Sequence, residues 1–385
     1  MDHLNNNILC SFYLETKKDK SGEDCLSKVE VRPLTITLET HPNYRPFMVD
    51  IEVHGISDGI PGSDAADMFD SWATEFRFPP NKRISPLGFN WTKERPLLLD
   101  WLGNATYECF IDGRVRDFTA AHTYQCDKIY RKEGLVLVNT PQPVCAKDTT
   151  YYYRNLINRL FDKVDKTDSN DTICVIDTET SGLNPNKHEI IQLCILPVDS
   201  AWIVRRDIIP VDIEIRPRGE IDPEAMKATK LDIMRIMQEG LDSDIAQDLI
   251  DTWFDKLHNL DYNKITPLAH NWTFDSTFLK KLFGVKYNEF FHDNCRDTMS
   301  AVLLENDIAF NNSMRIPFPK VNLPYVAAQL RVEHERSHTA LGDCLATLEV
   351  YKELIKGRLP LGADSLLGAL AEQRENERNE KLYLE

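Results

Sequence analysis

The second half of this 385-residue chain predicts an α/β fold, and the first half an α+β or mostly β arrangement. Two observations carry the α/β reading. Short apolar runs rich in β-forming residues end in polar or acidic positions, and segments with helical spacing follow them.

In chain order, Val29 to Glu39 and Phe47 to Val53 alternate like strands. Ser63 to Phe76 spaces Met68, Phe69, Trp72 and Phe76 as one face of an amphipathic helix. Tyr107 to Ile111 and Arg114 to Phe118 flank Asp112-Gly113, which predicts a hairpin. Thr150 to Val164 is expected to be a helix, with Leu156, Ile157, Leu160 and Phe161 on one side, and Asp165 to Asn170 a polar linker. No internal repeat is evident. Thr172 to Ile176 reads as a buried strand with Asp177 at its carboxyl end. Ile265 to Ala269 is a second such strand, and Trp272 to Phe283 a helix with Asp275 on its first turn. Phe274 and Phe278, four apart on that helix, are expected in the core. Leu341 to Ile355 is a helix with Leu345, Leu348, Val350 and Tyr351 as its apolar stripe, and His338 falls in the loop before it. The tail carries a short helix, Ser365 to Leu370, and then the charged stretch Glu372 to Lys381.

The expected organisation is an N-terminal domain of unassigned role at 1–148, a connecting helix and linker at 149–170, a catalytic segment at 171–357 and a charged tail at 358–385. A fragment starting near Thr149 should then fold by itself.

Composition restricts the function classes. No apolar run approaches a membrane span and the N-terminus lacks the basic region of a signal peptide, so a cytoplasmic protein is expected, with no membrane partner. Nine cysteines, scattered singly, argue for reduced thiols rather than disulfides or a zinc site, with Cys174 and Cys194 as buried packing residues. The net charge is −16; residues 1–150 hold 17 Lys and Arg against 22 Asp and Glu, so neither half presents the basic excess of a broad nucleic-acid grip. A strand end needs few phosphate contacts. Arg216, Arg218, Lys227, Lys230, Arg315 and Lys320 are candidates, each individually no more than an ordinary surface charge.

The chemistry lies in four carboxylates and one histidine. Asp177 and Glu179 are two apart, which on extended backbone puts both on one face. Asp275, His338 and Asp343 follow in order. Four carboxylates on one point need compensation, and hard divalent cations supply it. Spacing alone is weak: Asp50 and Glu52 repeat it without partner motifs in that half.

Three blocks together say more. Asp-Thr-Glu-Thr-Ser-Gly-Leu at 177–183, Ala-His-Asn-Trp-Thr-Phe-Asp at 269–275 and His-Thr-Ala-Leu-Gly-Asp at 338–343 resemble the three motifs of the DEDDh exonucleases. That group includes the proofreading epsilon subunit of bacterial DNA polymerase III, RNase T and oligoribonuclease. Ile221 to Ala225 and Arg296-Asp297-Thr298 agree with it, while Gln192 stands where many relatives carry glutamate and is read as neutral. The resemblance implies a ribonuclease-H-like mixed sheet flanked by helices over 171–357. It implies two Mg²⁺ or Mn²⁺ ions, with Asp177 bridging them, Glu179 and Asp343 completing one and Asp275 acting on the second. His338 would be the general base, and Thr178, Thr180, Leu183, His270 and Asn271 would contact substrate, Leu183 as a wedge on the terminal base. The implied activity is 3′-to-5′ release of mononucleotides from a nucleic acid with a free 3′ end. DNA is preferred over RNA on the likeness of the first motif to proofreading enzymes. RNA trimming and a non-catalytic binding module on the same fold are the alternatives, and the first half would dock a polymerase or another protein partner.

Overall fold

The computed structural model describes residues 7–35, 37–53, 59–74, 83–138, 141–158, 160–165, 172–229, 231–258, 264–334 and 337–360. The expected tail helix, the 166–170 part of the linker, Phe76 and Lys230 lie outside these residues. The chain divides into two compact units: Met1–His122 with Leu137–Lys163, and Thr123–Val136 with Val164–Glu385. Among the described residues, no helix is long and apolar enough to cross a membrane, and the nine cysteines are free.

The first unit is built on β1 (Ile8–Lys18), β2 (Asp24–Leu34), β3 (Phe47–Asp50), α1 (Gly62–Thr74), β4 (Ile84–Gly88), α2 (Trp91–Phe110) and β5 (Arg116–Asp117). Next come α3 (Phe118–Glu133), β6 (Leu135–Leu137), α4 (Ala146–Asn158) and β7 (Lys163–Asp165). The sheet order is β3-β2-β1-β4-β5, antiparallel on the β2 side of β1 and parallel on the β4 side. Phe12, Val29, Val31, Phe69, Trp91 and Leu98 fill its core.

Three sequence expectations fail here. The hairpin around Asp112-Gly113 does not form: Tyr107 to Phe110 close α2, and Asp112 instead accepts from the backbone and guanidinium of Arg114 and from Asn7. Its side chain satisfies a turn between helix and strand, and the residues before it are helical beyond a kink at Gly103, where φ is 71°. Met68 is half exposed, while Phe69 and Trp72 of the same helix are buried. The helix predicted at 150–164 runs from Ala146 to Asn158 and, rather than connecting domains, packs on its own sheet, with Thr149 Oγ1 donating to Phe12 O and the Ala146 amide donating to Glu30.

The second unit has β8 (Thr172–Thr180), β9 (Ile190–Val198), β10 (Val211–Glu214), α5 (Pro223–Ala228), α6 (Ile233–Glu239) and α7 (Ser243–His258). After them come β11 (Ile265–Ala269), α8 (Trp272–Phe283), α9 (Tyr287–Phe290), β12 (Arg296–Asp297), α10 (Thr298–Asn311), α11 (Leu323–Leu330) and α12 (Ala340–Ile355). Its mixed sheet runs β10-β9-β8-β11-β12 with helices against it, the ribonuclease-H-like arrangement expected. The Asp127 carboxylate receives Arg296 at 2.6 and 3.1 Å and the Tyr351 hydroxyl at 2.8 Å. Glu305 receives Tyr124 at 2.6 Å and Lys128 at 2.5 Å, so residues 123–136 are tied into this unit by charged bonds in its interior.

The two sheets share more than strand order, which overturns the expectation of no repeat. Cys10 lies opposite Pro33 and Pro86, as Cys174 lies opposite Pro197 and Pro267. Leu87 pairs with Arg116 and Gly88 with Asp117, as Leu268 with Arg296 and Ala269 with Asp297. The register slips between Glu15 and Thr16 in one sheet and between Glu179 and Thr180 in the other. Ile84-Ser-Pro-Leu-Gly-Phe-Asn-Trp-Thr92 and Ile265-Thr-Pro-Leu-Ala-His-Asn-Trp-Thr273 follow the same pattern through strand, turn and helix start. Both proline positions are tolerable because β5 and β12 are two residues long and do not reach them. The two units thus share one strand order and one pattern of strand pairing.

Candidate metal and active site

Asp177 and Glu179 leave the same face of β8, a strand that continues through both rather than ending before them. The β11 strand ends at Ala269, and Asn271 turns the chain into α8 with a left-handed φ of 71°, a conformation its short polar side chain tolerates. Asp297 braces that turn, accepting the Asn271 and Met299 amides at 2.8 Å each. Asp275 then lies on the first turn of α8, where Thr178 donates to it from its amide at 2.9 Å and its hydroxyl at 2.7 Å. Thr339 caps α12 by accepting the Gly342 amide at 3.2 Å, and Asp343 follows on the first turn.

Geometry brings three of the five residues together, and the charges of Asp177 and Asp275 are felt among them. One oxygen each of Glu179 and Asp343 and a ring nitrogen of His338 lie within 4.8 Å of one another. Burial, and then Asp275, Asp343 and Glu179, push Asp177 well above the usual carboxylate range. Burial, and then Asp343 and Asp275, raise Glu179 to about 8. Burial raises Asp275 to about 7 against the opposing bonds from Thr178. Among the described residues, no lysine or arginine pairs with these four carboxylates. Uncompensated repulsion among hard oxygen donors is the condition that a divalent cation relieves, so the donor set fits such an ion.

The remaining predicted residues are distributed around this centre. Leu183 is 67% exposed, which excludes a core role for it. Thr178 orients Asp275, whereas Thr180 is buried and donates to the Gly182 carbonyl at 2.8 Å. His270 is held below neutrality, at about 4, by burial, and its Nδ1 lies 2.8 Å from Thr298 Oγ1. Asn271 accepts from Thr273 at 3.0 Å. Phe278 is in the core, as expected, and Phe274 is its ring neighbour at 5.1 Å. Among the candidate cations, Arg216 pairs with Asp242 and Arg218 with Asp244, while Lys320 lies over the Tyr325 ring.

Two contributors escaped the sequence reading. His334 Nε2 is 2.5 Å from Asp343 Oδ1, a second histidine on the carboxylate whose only signal was its place four residues before His338. Gln192, read as neutral, accepts the Ala340 amide at 2.8 Å and so fixes where α12 begins. His338 has a φ of 67°, which turns the loop so that its own amide reaches Asp343 at 3.2 Å.

Residues 174–351 match the family model described as exonuclease. Similar solved structures include E. coli exonuclease I in complex with a dT13 oligonucleotide, 20% identical over 48% of this chain and 41% of that one, with a TM-score of 0.40. A second is the zinc-bound form of an E. coli exonuclease I–ssDNA complex, 21% identical over 49% and 41%, TM-score 0.40. The chain thus spans about two fifths of the length of those proteins. No curated protein matches it. Residues 174–351 are a DEDDh-type exonuclease segment.

Proposed function

We propose that the second unit is a metal-dependent 3′-to-5′ exonuclease that releases mononucleotides, with DNA preferred over RNA. The observation that carries this reading is the convergence of Glu179, His338 and Asp343 ligand atoms within 4.8 Å beside the raised carboxylates Asp177 and Asp275. Asp177, Glu179, Asp275 and Asp343 would hold Mg²⁺ or Mn²⁺, two ions in all. When bound, such cations stabilise charge on the attacking and leaving oxygens of a phosphodiester. His338, on a turn rather than inside a helix, would accept the proton of the attacking water. Thr178 holds Asp275 in place, Gln192 sets the start of α12, and the exposed Leu183 is free to wedge against a terminal base. Thr180, His270 and Asn271 would contact the terminal nucleotide, and each also makes a hydrogen bond within the protein that holds it in place. A polymerase or another protein would engage the first unit, and the cytoplasm would be the setting.

The test is hydrolysis of end-labelled single-stranded DNA and RNA with Mg²⁺ or Mn²⁺. Faster loss of 3′ mononucleotides from DNA is expected. Equal or greater loss from RNA would move the assignment to RNA trimming, and binding without hydrolysis would leave a non-catalytic module.

A further inference from the structure

We propose that the first unit is a silent second copy of the exonuclease fold, one that holds no catalytic cation, so that metal binding and hydrolysis belong to the second unit alone. The inference rests on the reading of the second site given above, and on residue equivalences drawn from the strand registers, the tryptophans that start α2 and α8, and the buried faces of α4 and α12.

Counting from Cys10 and Cys174, which occupy the same place in the two sheets, puts Tyr13 at the position of Asp177, Leu14 at that of Thr178 and Glu15 at that of Glu179. Counting from Trp91 and Trp272, which start α2 and α8, puts Glu94 at the position of Asp275. The last two positions follow from α4 and α12. Each begins at an alanine whose amide donates to the second strand, Ala146 to Glu30 at 3.3 Å and Ala340 to Gln192 at 2.8 Å, although the two acceptors lie two register positions apart, so the match rests on the buried faces of the helices. Ala146, Thr150, Tyr153, Leu156 and Ile157 are buried in α4 as Ala340, Cys344, Thr347, Val350 and Tyr351 are in α12. Thr149 therefore stands for Asp343 and Val144 for His338.

Of the five functional positions, Glu15 and Glu94 keep a carboxyl group and three do not. A phenol replaces the carboxylate that would bridge the ions, a hydroxyl replaces another ligand, and an exposed valine, 72% accessible, replaces the base. Glu94 remains an acid but has turned away. Leu14 has no hydroxyl to offer it, so Glu94 folds back on its own turn, taking the Phe89 amide at 3.4 Å, and its Oε2 is buried without a hydrogen-bond partner among the described residues. Burial and the neighbouring Asp117 raise it to about 8, which keeps it largely protonated at neutral pH. The nearby acids are engaged as well: Asp148 accepts the Val144 amide at 3.0 Å, and Glu30 accepts from Arg32 at 3.1 Å. Among the described residues, Glu179, His338 and Asp343 are the one group of metal-type ligands found together. What the copy preserves is its scaffold, down to Asp117, which accepts the Trp91 amide at 2.8 Å as Asp297 accepts that of Asn271.

The test titrates the full chain with Mn²⁺ and reads free Mn²⁺ by electron paramagnetic resonance. Asp177→Asn with Asp343→Asn should abolish all tight binding. A site of wild-type affinity that survives in that double variant and is removed by Glu15→Gln would overturn the proposal. Into the same background, Tyr13→Asp, Leu14→Thr, Glu94→Asp and Thr149→Asp restore the ligand set and should create a site at least tenfold tighter than the background. A variant that folds by circular dichroism and gains nothing would overturn the equivalences; if it does not fold, the double variant decides. Absence of Mn²⁺ binding by the wild type would defeat the reading of the second site while upholding the silence of the first.

Discussion

Removing divalent cations should make the protein lose stability as pH rises from 5 to 8, the reverse of the usual trend for paired carboxylates. Glu179 is raised from an ordinary 4.5 to about 8. Below pH 4.5 both the folded and unfolded states carry its proton, and no difference arises. Between the two values the unfolded chain gives the proton up while the folded one keeps it, so the stability present at low pH is lost as pH climbs through about 8. At about 1.36 kcal/mol per tenfold change in proton affinity, Glu179 alone would account for up to ~5 kcal/mol. Asp275, raised from 3.8 to about 7, acts in the same direction, but it shares its repulsion with Asp177, so the two do not add. A total of about 5 kcal/mol is the working figure, reduced by whatever water reaches Glu179. Glu94 in the first unit titrates with the same sign but would not respond to Mg²⁺. The assay is urea denaturation followed by tryptophan fluorescence in EDTA at pH 5, 6, 7 and 8, repeated with Mg²⁺ at about 100 times its dissociation constant, which would return about 2.7 kcal/mol. Glu179→Gln should flatten the slope, and the Mg²⁺ effect should be larger at pH 8 than at pH 5. Metal-free stability that rises with pH over this window, or a Mg²⁺ effect equal at both ends, would refute the reasoning.

Further outcomes follow from the same geometry. Asp177→Asn should lower nucleotide release by at least about a thousandfold while leaving the melting temperature unchanged or higher, because a buried repelling charge is gone; full activity in that variant or in excess EDTA would exclude the metal site. His338→Ala should cut turnover by about a hundredfold with little change in KM, and His338→Asn, which suits the positive φ, should be as inactive yet more stable to heat. Substrates without a free 3′-hydroxyl, whether circular or 3′-phosphorylated, should resist hydrolysis; efficient cutting of a closed circle would make the enzyme an endonuclease. Asp127→Ala should cost about 3–5 kcal/mol by stranding the Arg296 guanidinium, measurable by chemical denaturation. For the same reason a fragment starting near Thr149 or Thr172 should be less stable than one starting at Thr123.

The candidate site was legible in the sequence because its residues sit in short segments that carry both their own backbone preference and their chemistry. β11 and α8 emerged at their predicted bounds, Ile265–Ala269 and Trp272–Phe283, since apolar run, turn and helix start are adjacent there. Helix α2 was not legible. Pro96 and Gly103 interrupt its pattern, and its last turn is rich in β-formers, so local preference argued against what tertiary packing enforces. The likeness of the two units escaped for a different reason. The two halves differ at the carboxylate positions, where chemistry would draw attention, and agree in Pro86-Leu87, Asn90-Trp91-Thr92 and Arg116-Asp117, which build the scaffold. His334 was invisible because nothing in a histidine's sequence neighbours announces a partner nine residues on.

The matched registers of β1 and β8 bear on how the chain reaches its native state. Two sheets with the same strand order, the same pairing offsets and the same slip beside a Glu-Thr pair offer each central strand a second plausible berth in the other sheet. Tandem copies are prone to such mispairing, which traps refolding chains and links molecules at high concentration. Divergence is the natural safeguard: Tyr13 and Leu14 in one strand and Asp177 and Thr178 in the other would each meet the wrong neighbours after an exchange. Replacing Tyr13, Leu14, Glu94 and Thr149 as the metal-binding test requires would make the two strands more alike and should therefore slow refolding and favour dimers, so that the residues in which the strands differ act as a label telling each where it belongs.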